Sequence, residues 1–397
     1  MKKTIILLFL ASALCLQVAA QQPDNQDGYR FTTVKDLPIT LIQNQNRTST
    51  CWSFSSLSFL ESELIRMGKG SHNLSEMFVV WHTYLSKADK YVRTDGNINM
   101  APGGGFEDFI YVMKHWGIVP EEVMKGLNYG EEMHVHNELD AVLKAYADAL
   151  LKNPNGKLST AWKKGVAGIL DAYLGAPPQK FTYQGKEYTP MSFAASLGVN
   201  LNDYVSLTSY THQPFYTKFA LEIADNWLWS ESYNLPLEEF MSIFDYAVNK
   251  GFTVLWASDV SEIGYTRKGI AVVPDVDPTQ MSGSDQARWL GLTPAARNAE
   301  LAKIAEGPCK EKVITPEMRQ VAYDNKQTTD DHGMHIFGIA KDQNGKKFYM
   351  VKNSWGETGA YKGIWYASEA FIAYKTMDIM VHKDAIPAAI KQKLNIK

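Results

Sequence analysis

The sequence predicts an α+β fold in two parts, a helical first part followed by a strand-rich last part. Three observations carry this. Apolar residues recur at helical spacing in several stretches before residue 251. After residue 330 the pattern changes to short apolar runs bounded by turn residues. No internal repeat or low-complexity segment breaks that order. At about 100–200 residues per domain, 397 residues make two or three domains with a sizeable core. A composition 45% hydrophobic and 21% charged excludes collagen-like and wholly disordered chains.

Residues 1–20 read as a signal peptide. Lys2 and Lys3 precede the apolar run from Ile5 to Leu10, and Val18, Ala19 and Ala20 supply the small-residue exit. The run falls short of the ~20 residues that span a bilayer, so stable membrane insertion is not expected. The product is expected to be exported, to the periplasm or beyond the cell. Residues 21–36 are polar and form an N-terminal arm. In residues 37–124, the helical half, Cys51 to Met67 reads as a helix with Phe54, Leu57, Leu60 and Leu64 on one face. Gly68 ends it, and Ser49 or Thr50 is placed to cap it. Gly104 to Trp116 reads as a second helix, closed by Gly117 and Pro120.

Residues 125–234 form a mostly helical insertion. Leu139, Val142, Leu143, Tyr146 and Leu150 make one stripe; Trp162, Val166, Ile169, Leu170 and Tyr173 make another. Thr189-Pro190 opens a third helix in cap-then-proline order. The strand-rich half, residues 235–387, begins with a helix from Leu237 to Lys250. Gly251 stops it, and a buried strand runs from Phe252 to Trp256. Residues 275–330 are a polar insertion without clear periodicity. Strands follow at Ile336 to Ala340, Phe348 to Val351 and Ile364 to Tyr366, with a hairpin signal at Asp342-Gln343-Asn344-Gly345. Residues 388–397 are a C-terminal tail.

Three cysteines are too few for a disulfide scaffold. Cys15 leaves with the signal, and Cys309 sits in the polar block with no evident role. Cys51 stands at the first turn of a helix, where the macrodipole favours a thiolate, the nucleophilic form of cysteine. His332 enters an apolar strand, and Asn353 ends another 21 residues later. A histidine that activates a thiol must itself be oriented, and an asparagine oxygen can accept its other ring N–H. Trp355 stands where it can shield that bond from water. His332 with His335 lacks the glutamate of the zinc motif and a third ligand, so no metal is expected. No cofactor is called for. Forty basic against 43 acidic residues give a charge of −3, and loss of Lys2 and Lys3 makes the chain more negative, which argues against a nucleic-acid partner.

Together these segments resemble the papain superfamily of cysteine peptidases. Gln45 stands six residues before Cys51, Trp52 and Phe54 follow it, and Asn353-Ser354-Trp355-Gly356 repeats the family's orienting segment. The resemblance implies a papain-like two-part fold, with the cysteine on the helical half and His332 and Asn353 on the strand-rich half. It implies Cys51 as nucleophile, His332 as acid and base, Asn353 as its orienter and Gln45 as oxyanion donor. Pro102-Gly103-Gly104-Gly105 matches the family's glycine pair, which makes Gly103, Gly104 and Trp355 the candidate substrate-binding residues. The substrates would be peptides.

The 281 residues between Cys51 and His332 exceed the roughly 130–150 of papain-like enzymes. A large helical insertion of this kind looks like the bleomycin hydrolase and aminopeptidase C branch. Leu74-Ser75-Glu76-Met77-Phe78 and Trp116-Gly117-Ile118-Val119-Pro120 agree with it. That branch implies removal of amino-terminal residues, a homo-hexameric barrel, and a C-terminal tail lying in the cleft with its carboxylate toward the substrate's amine. The chain departs from it in its export signal and in a tail of only ten residues, Ala388 to Lys397. A secreted endopeptidase, or a papain-fold binding protein without activity, are the competing readings.

Overall fold

The structure is a computed structural model that describes residues 28–397. The expected signal peptide, and residues 21–27 of the arm, lie outside the described residues. The fold is mixed α and β, organised around one large sheet and the Cys51–Arg66 helix laid against it.

The Cys51–Arg66 helix is buried nearly all round. Leu57, Leu60 and Leu64 are fully buried, as the spacing predicts, and each such side chain contributes roughly 1.5–3 kcal/mol. Gly68 closes it at φ +72°. The expected cap is absent, however. The Thr50 carbonyl takes the N–H groups of Ser53 and Phe54, while the Thr48 and Thr50 hydroxyls bond each other at 2.5 Å. A second helix, Glu76–Arg93, follows with Ser75 as its cap. Its first nine residues are all buried, so no amphipathic period betrays it in the sequence. The helix expected from Gly104 starts later, at Glu107, and runs to His115. Asp108 draws the Gly105 N–H at 3.2 Å and holds the glycines outside the helix.

Between residues 125 and 234 the helices are Asn137–Leu151, Trp162–Leu174 and Pro190–Leu197, the last with the capping box that Thr189 announces. The last third of this block is not helical. Strands Tyr204–Thr208, Lys218–Ala220 and Glu231–Asn234 join the main sheet. Tyr204–Thr208 pairs with Thr376–His382, a strand with no polar alternation because it is hydrogen-bonded on both edges and packed on both faces.

The centre of the sheet is His332–Lys341. On one edge Val254–Ser258 pairs with its first half and Thr32–Asp36 with its second; Lys347–Lys352 takes the other edge, followed by Ile364–Ser368 and Ile270–Ala271. The 342–345 hairpin therefore lies where the sequence predicts it. One face of the sheet packs on the cysteine helix, with Ser58 Oγ bonded to His335 Nδ1 at 3.0 Å. The other packs on Leu237–Lys250 and Glu369–Lys375 through Phe240, Phe244, Trp256 and Phe371. The polar block at 275–330 is helical after all: Gly283–Gly291, Pro294–Ile304 and Pro316–Asp324. Thr293-Pro294 and Thr315-Pro316 repeat the cap-then-proline signal of Thr189-Pro190. No described helix is long and apolar enough to cross a membrane.

Candidate active site

Where the cysteine helix meets the histidine strand, side chains leave no room. A Cβ on Gly333 would lie 2.7 Å from Ser55 Oγ and 3.3 Å from Trp52 Cα. Glycine there lets the two elements close up, and it brings the Gly333 N–H onto the Cys51 thiol. A cleft of about 610 Å³ opens at this junction. Gln45, Cys51, Gly103, Gly104, His332 and Trp355 all line it, so the sequence-predicted residues converge on one place.

His332 Nε2 donates to Asn353 Oδ1 over 2.8 Å, between side chains 5% and 2% exposed. Trp355 stacks on the imidazole at 4.7 Å between centroids and so covers that bond. Asn353 is held in turn: its Nδ2 donates to Tyr265 Oη at 3.0 Å, and the Ser354 N–H donates to its Oδ1 at 2.7 Å. Tyr265 sends its own proton toward Met334 Sδ at 3.3 Å. This fixes which end of the Asn353 amide faces the histidine. Sequence reasoning misses Tyr265, because it comes from a loop that carries no motif.

Gln45 is 6% exposed, and its Oε1 accepts from Ser354 Oγ at 2.6 Å, which leaves Nε2 free to donate into the cleft. The loop around Gln45 is fastened to residues 134–136 of the long insertion. Arg47 N–H donates to the His134 carbonyl at 3.2 Å, His136 N–H to the Arg47 carbonyl at 3.0 Å, and Asn46 Nδ2 to the His134 carbonyl at 2.9 Å. Asn46 and Ser49 sit at φ +49° and +54°, a region non-glycine residues enter at a cost.

On the cleft's other side, a Cβ on Gly103 would come within 1.9 Å of Asp225 Oδ2. Lys87, fully buried, donates to the carbonyls of Ala101 and Gly103 and pins this segment. Trp52 Nε1 donates to the Pro102 carbonyl at 3.1 Å.

The electrostatics differ from the helix-dipole expectation. Burial pushes the Cys51 thiol up to about 12; the Gly333 and Trp52 N–H groups pull it down, and the charges of Asp330 and Asp225 raise it. Burial likewise takes His332 down to about 4, against the hydrogen bond to Asn353. Burial therefore disfavours a lone thiolate at Cys51 and a lone imidazolium at His332 alike. Cys309 is a free thiol 3.9 Å from Tyr29 Oη, and no disulfide links it to Cys51. No group of His, Cys, Asp and Glu among the described residues has metal-site geometry.

The segment Ala388 to Lys397, which the resemblance places in the cleft, lies outside the cleft's lining. The last residues form a short helix, Ala388–Lys393, anchored by Ile390 and Leu394 in the core. Asn395, Ile396 and Lys397 line a separate cavity that shares only Glu107 with the cleft.

A helix-borne thiol beside a strand-borne imidazole, in a cleft between a helical and a strand-rich half, is the architecture of papain-like cysteine peptidases. The sequence matches the model of the Peptidase C1-like family over residues 11–285 and 317–397, and the chain belongs to that family. It is thus a cysteine-type peptidase of the papain superfamily, on the aminopeptidase C and bleomycin hydrolase branch. The chain is similar to aminopeptidase C of Streptococcus thermophilus, at 22% identity over 95% of this chain and 87% of the relative. It is similar at 21% to aminopeptidase E of Lactobacillus helveticus, over 88% and 82% of the two chains. In fold it is similar to the crystal structure of PepW from Lactobacillus rhamnosis HN001, with a TM-score of 0.68, 21% identity, and 92% and 84% of the two chains covered. The unmatched stretch between residues 285 and 317 contains the Pro294–Ile304 helix.

Proposed function

We propose that this chain is an exported aminopeptidase that hydrolyses short peptides through Cys51, His332 and Asn353. The observation that carries the reading is the His332–Asn353 bond beneath Trp355, beside the Cys51 thiol. Cys51 gives its proton to His332 and attacks the peptide carbonyl, whose oxygen takes the electron pair. Gln45 Nε2 and the Cys51 N–H donate to that oxyanion. As the intermediate collapses, the C–N bond breaks and His332 hands the proton to the departing amine. Water then attacks the thioester while His332 takes its proton, and the acid is released with Cys51 restored. Asn353 keeps the imidazole aimed throughout.

Aminopeptidase action draws on the names of the relatives, which are aminopeptidases C and E. Endopeptidase action is the second reading, favoured by the tail's position outside the cleft. Matched peptides with free and N-acetylated amino termini separate the two. An aminopeptidase cleaves only the free form, at its first bond, and Cys51→Ala cleaves neither. Equal cleavage of both forms, at internal bonds, would sink the aminopeptidase reading. Cleavage that survives Cys51→Ala removes the mechanism, and a parent that binds peptides without cutting them leaves a binding protein. Export rests on the Lys2-to-Ala20 pattern, and a mature amino terminus at Gln21 in the exported fraction is the expected result.

A further inference from the structure

The lining of the cleft holds one group whose charge does not depend on its surroundings. Its carboxyls are Glu107, Asp140, Asp225, Asp330, Asp331 and Asp378, and burial lifts every one of them toward the neutral form. Among the described residues, Arg47 is the only lysine or arginine in that lining. A guanidinium is charged at any working pH, so it is the fixed charge of the site. Bond breaking does not call on it, because the oxyanion takes its donors from Gln45 and the Cys51 N–H.

Arg47 is held in place from both sides of its backbone. Its N–H and its carbonyl bond to residues 134 and 136 of the insertion, and the chain turns at φ +49° on Asn46 just before it. A clamped backbone has little freedom left to lose when the side chain engages a ligand. The side chain itself is exposed, and its Nη2 donates to Asn137 Oδ1 at 3.3 Å, a neutral oxygen on another residue of the lining. That contact steadies the guanidinium without neutralising it. No described carboxylate forms an ion pair with it.

Distance limits what Arg47 can meet. It follows Gln45 by two residues, which span at most about 7 Å of extended chain. Gln45 stands at the carbonyl under attack, so the group met by Arg47 belongs to a residue at or next to the scissile bond. The anions that a peptide places there are carboxylates. One source is an acidic side chain; the other is the terminal carboxylate of a dipeptide, three bonds beyond the attacked carbon. A guanidinium matches either through two parallel N–H donors.

We infer that Arg47 is a specificity-determining residue, which reads a substrate carboxylate beside the scissile bond. This rests on the peptidase reading above and names a class of peptide that the same site prefers.

Three matched pairs of peptides, all with free amino termini, test it. They are Ala-Gln against its amide, Ala-Glu amide against Ala-Gln amide, and Glu-Ala amide against Gln-Ala amide. The parent should favour the acid in at least one pair. In Arg47→Gln the ratio of kcat/KM for that acid over its neutral twin should fall by about fivefold, mostly through KM. The pair that responds tells the terminal carboxylate from a side chain. A parent that never favours the acid overturns the inference, and so does a ratio that survives Arg47→Gln in every pair. An equal loss on all the peptides also overturns it, since that is what a purely structural tie between Arg47 and Asn137 would produce. Should Arg47→Gln fail to fold, calorimetry on Cys51→Ala compares the same pairs. Binding about fivefold tighter for an acid supports the inference, and equal binding in all three pairs overturns it. This comparison reads binding alone, so it decides the matter even if the parent cleaves nothing, an outcome that defeats only the proposed function.

Discussion

Replacing Asn353 by alanine removes the acceptor from a ring that has no other. The His332–Asn353 bond is 2.8 Å long, both side chains are nearly fully buried, and Trp355 keeps water away. A hydrogen bond to a group that becomes charged is worth about 1.5–3 kcal/mol, which converts to a loss of roughly 10- to 150-fold in rate. The loss should fall on kcat rather than KM, because the bond matters when His332 carries the proton, not when substrate docks. Tyr265→Phe deletes the acceptor for Asn353 Nδ2, a neutral bond worth about 0.5–1.5 kcal/mol, or roughly 2- to 12-fold, together with the tyrosine's own contact to Met334 Sδ, which does not touch the histidine. In the Asn353→Ala background that second change has nothing left to hold and should cost nothing further. The assay is steady-state hydrolysis of an aminoacyl p-nitroanilide by the four members of this cycle, each checked for an intact thermal transition. A loss below about threefold for Asn353→Ala, or one lying wholly in KM, refutes the argument. So does a Tyr265→Phe effect that persists without Asn353.

Gln45→Ala should lower kcat by about 10²- to 10³-fold, as for other oxyanion donors, and Ser354→Ala, which only frees the Gln45 amide, by clearly less; single-turnover rates compare them. Gly103→Ala should raise KM sharply, since its Cβ meets Asp225 at 1.9 Å, whereas Gly168→Ala, on an open helix face, should gain about 0.4–1 kcal/mol in urea unfolding. The buried carboxyls Asp378 and Asp108 contribute stability that falls as pH rises from about 4 toward 8, while buried histidines such as His332, held at about 4, work the other way below about 6.5. Burial, with the Glu107 charge beside it, lifts Asp378 to about 8 against Ser206 and Arg319, and burial lifts Asp108 to about 7 against the Lys87 charge. At these two groups the folded chain keeps protons that the unfolded chain releases near pH 4, so each of them favours the folded state on the acid side of that window. Urea midpoints at pH 5 and pH 8 measure this, and Asp378→Asn should flatten the difference.

Much of the site was legible because its residues sit in local patterns. Cys51 opens a helix whose leucines mark the buried face, and His332 and Asn353 stand at the ends of adjacent strands of one hairpin. What escaped has a common physical cause. The Glu76–Arg93 helix is buried on every side at its start, so no period survives to be read. Tyr204–Thr208 and Thr376–His382 are strands because they pair with each other across more than a hundred residues. Tyr265, Asp225, Asp330 and Asp378 converge only once the sheet has formed. The expected cap at Ser49 or Thr50 fails because the chain turns at positive φ there to present Gln45. The polar block at 275–330, by contrast, held two readable caps, Thr293-Pro294 and Thr315-Pro316.

The three hydrogen bonds between the Gln45 loop and residues 134–136 limit how this chain can be simplified. Cutting out the insertion to recover a minimal peptidase would strand the Arg47 N–H, the Arg47 carbonyl and the Asn46 amide beside the nucleophile. It would also strip three strands from the sheet that carries His332. The added block is not a passenger on an older scaffold but part of its frame, so the chain has to be shortened elsewhere or not at all.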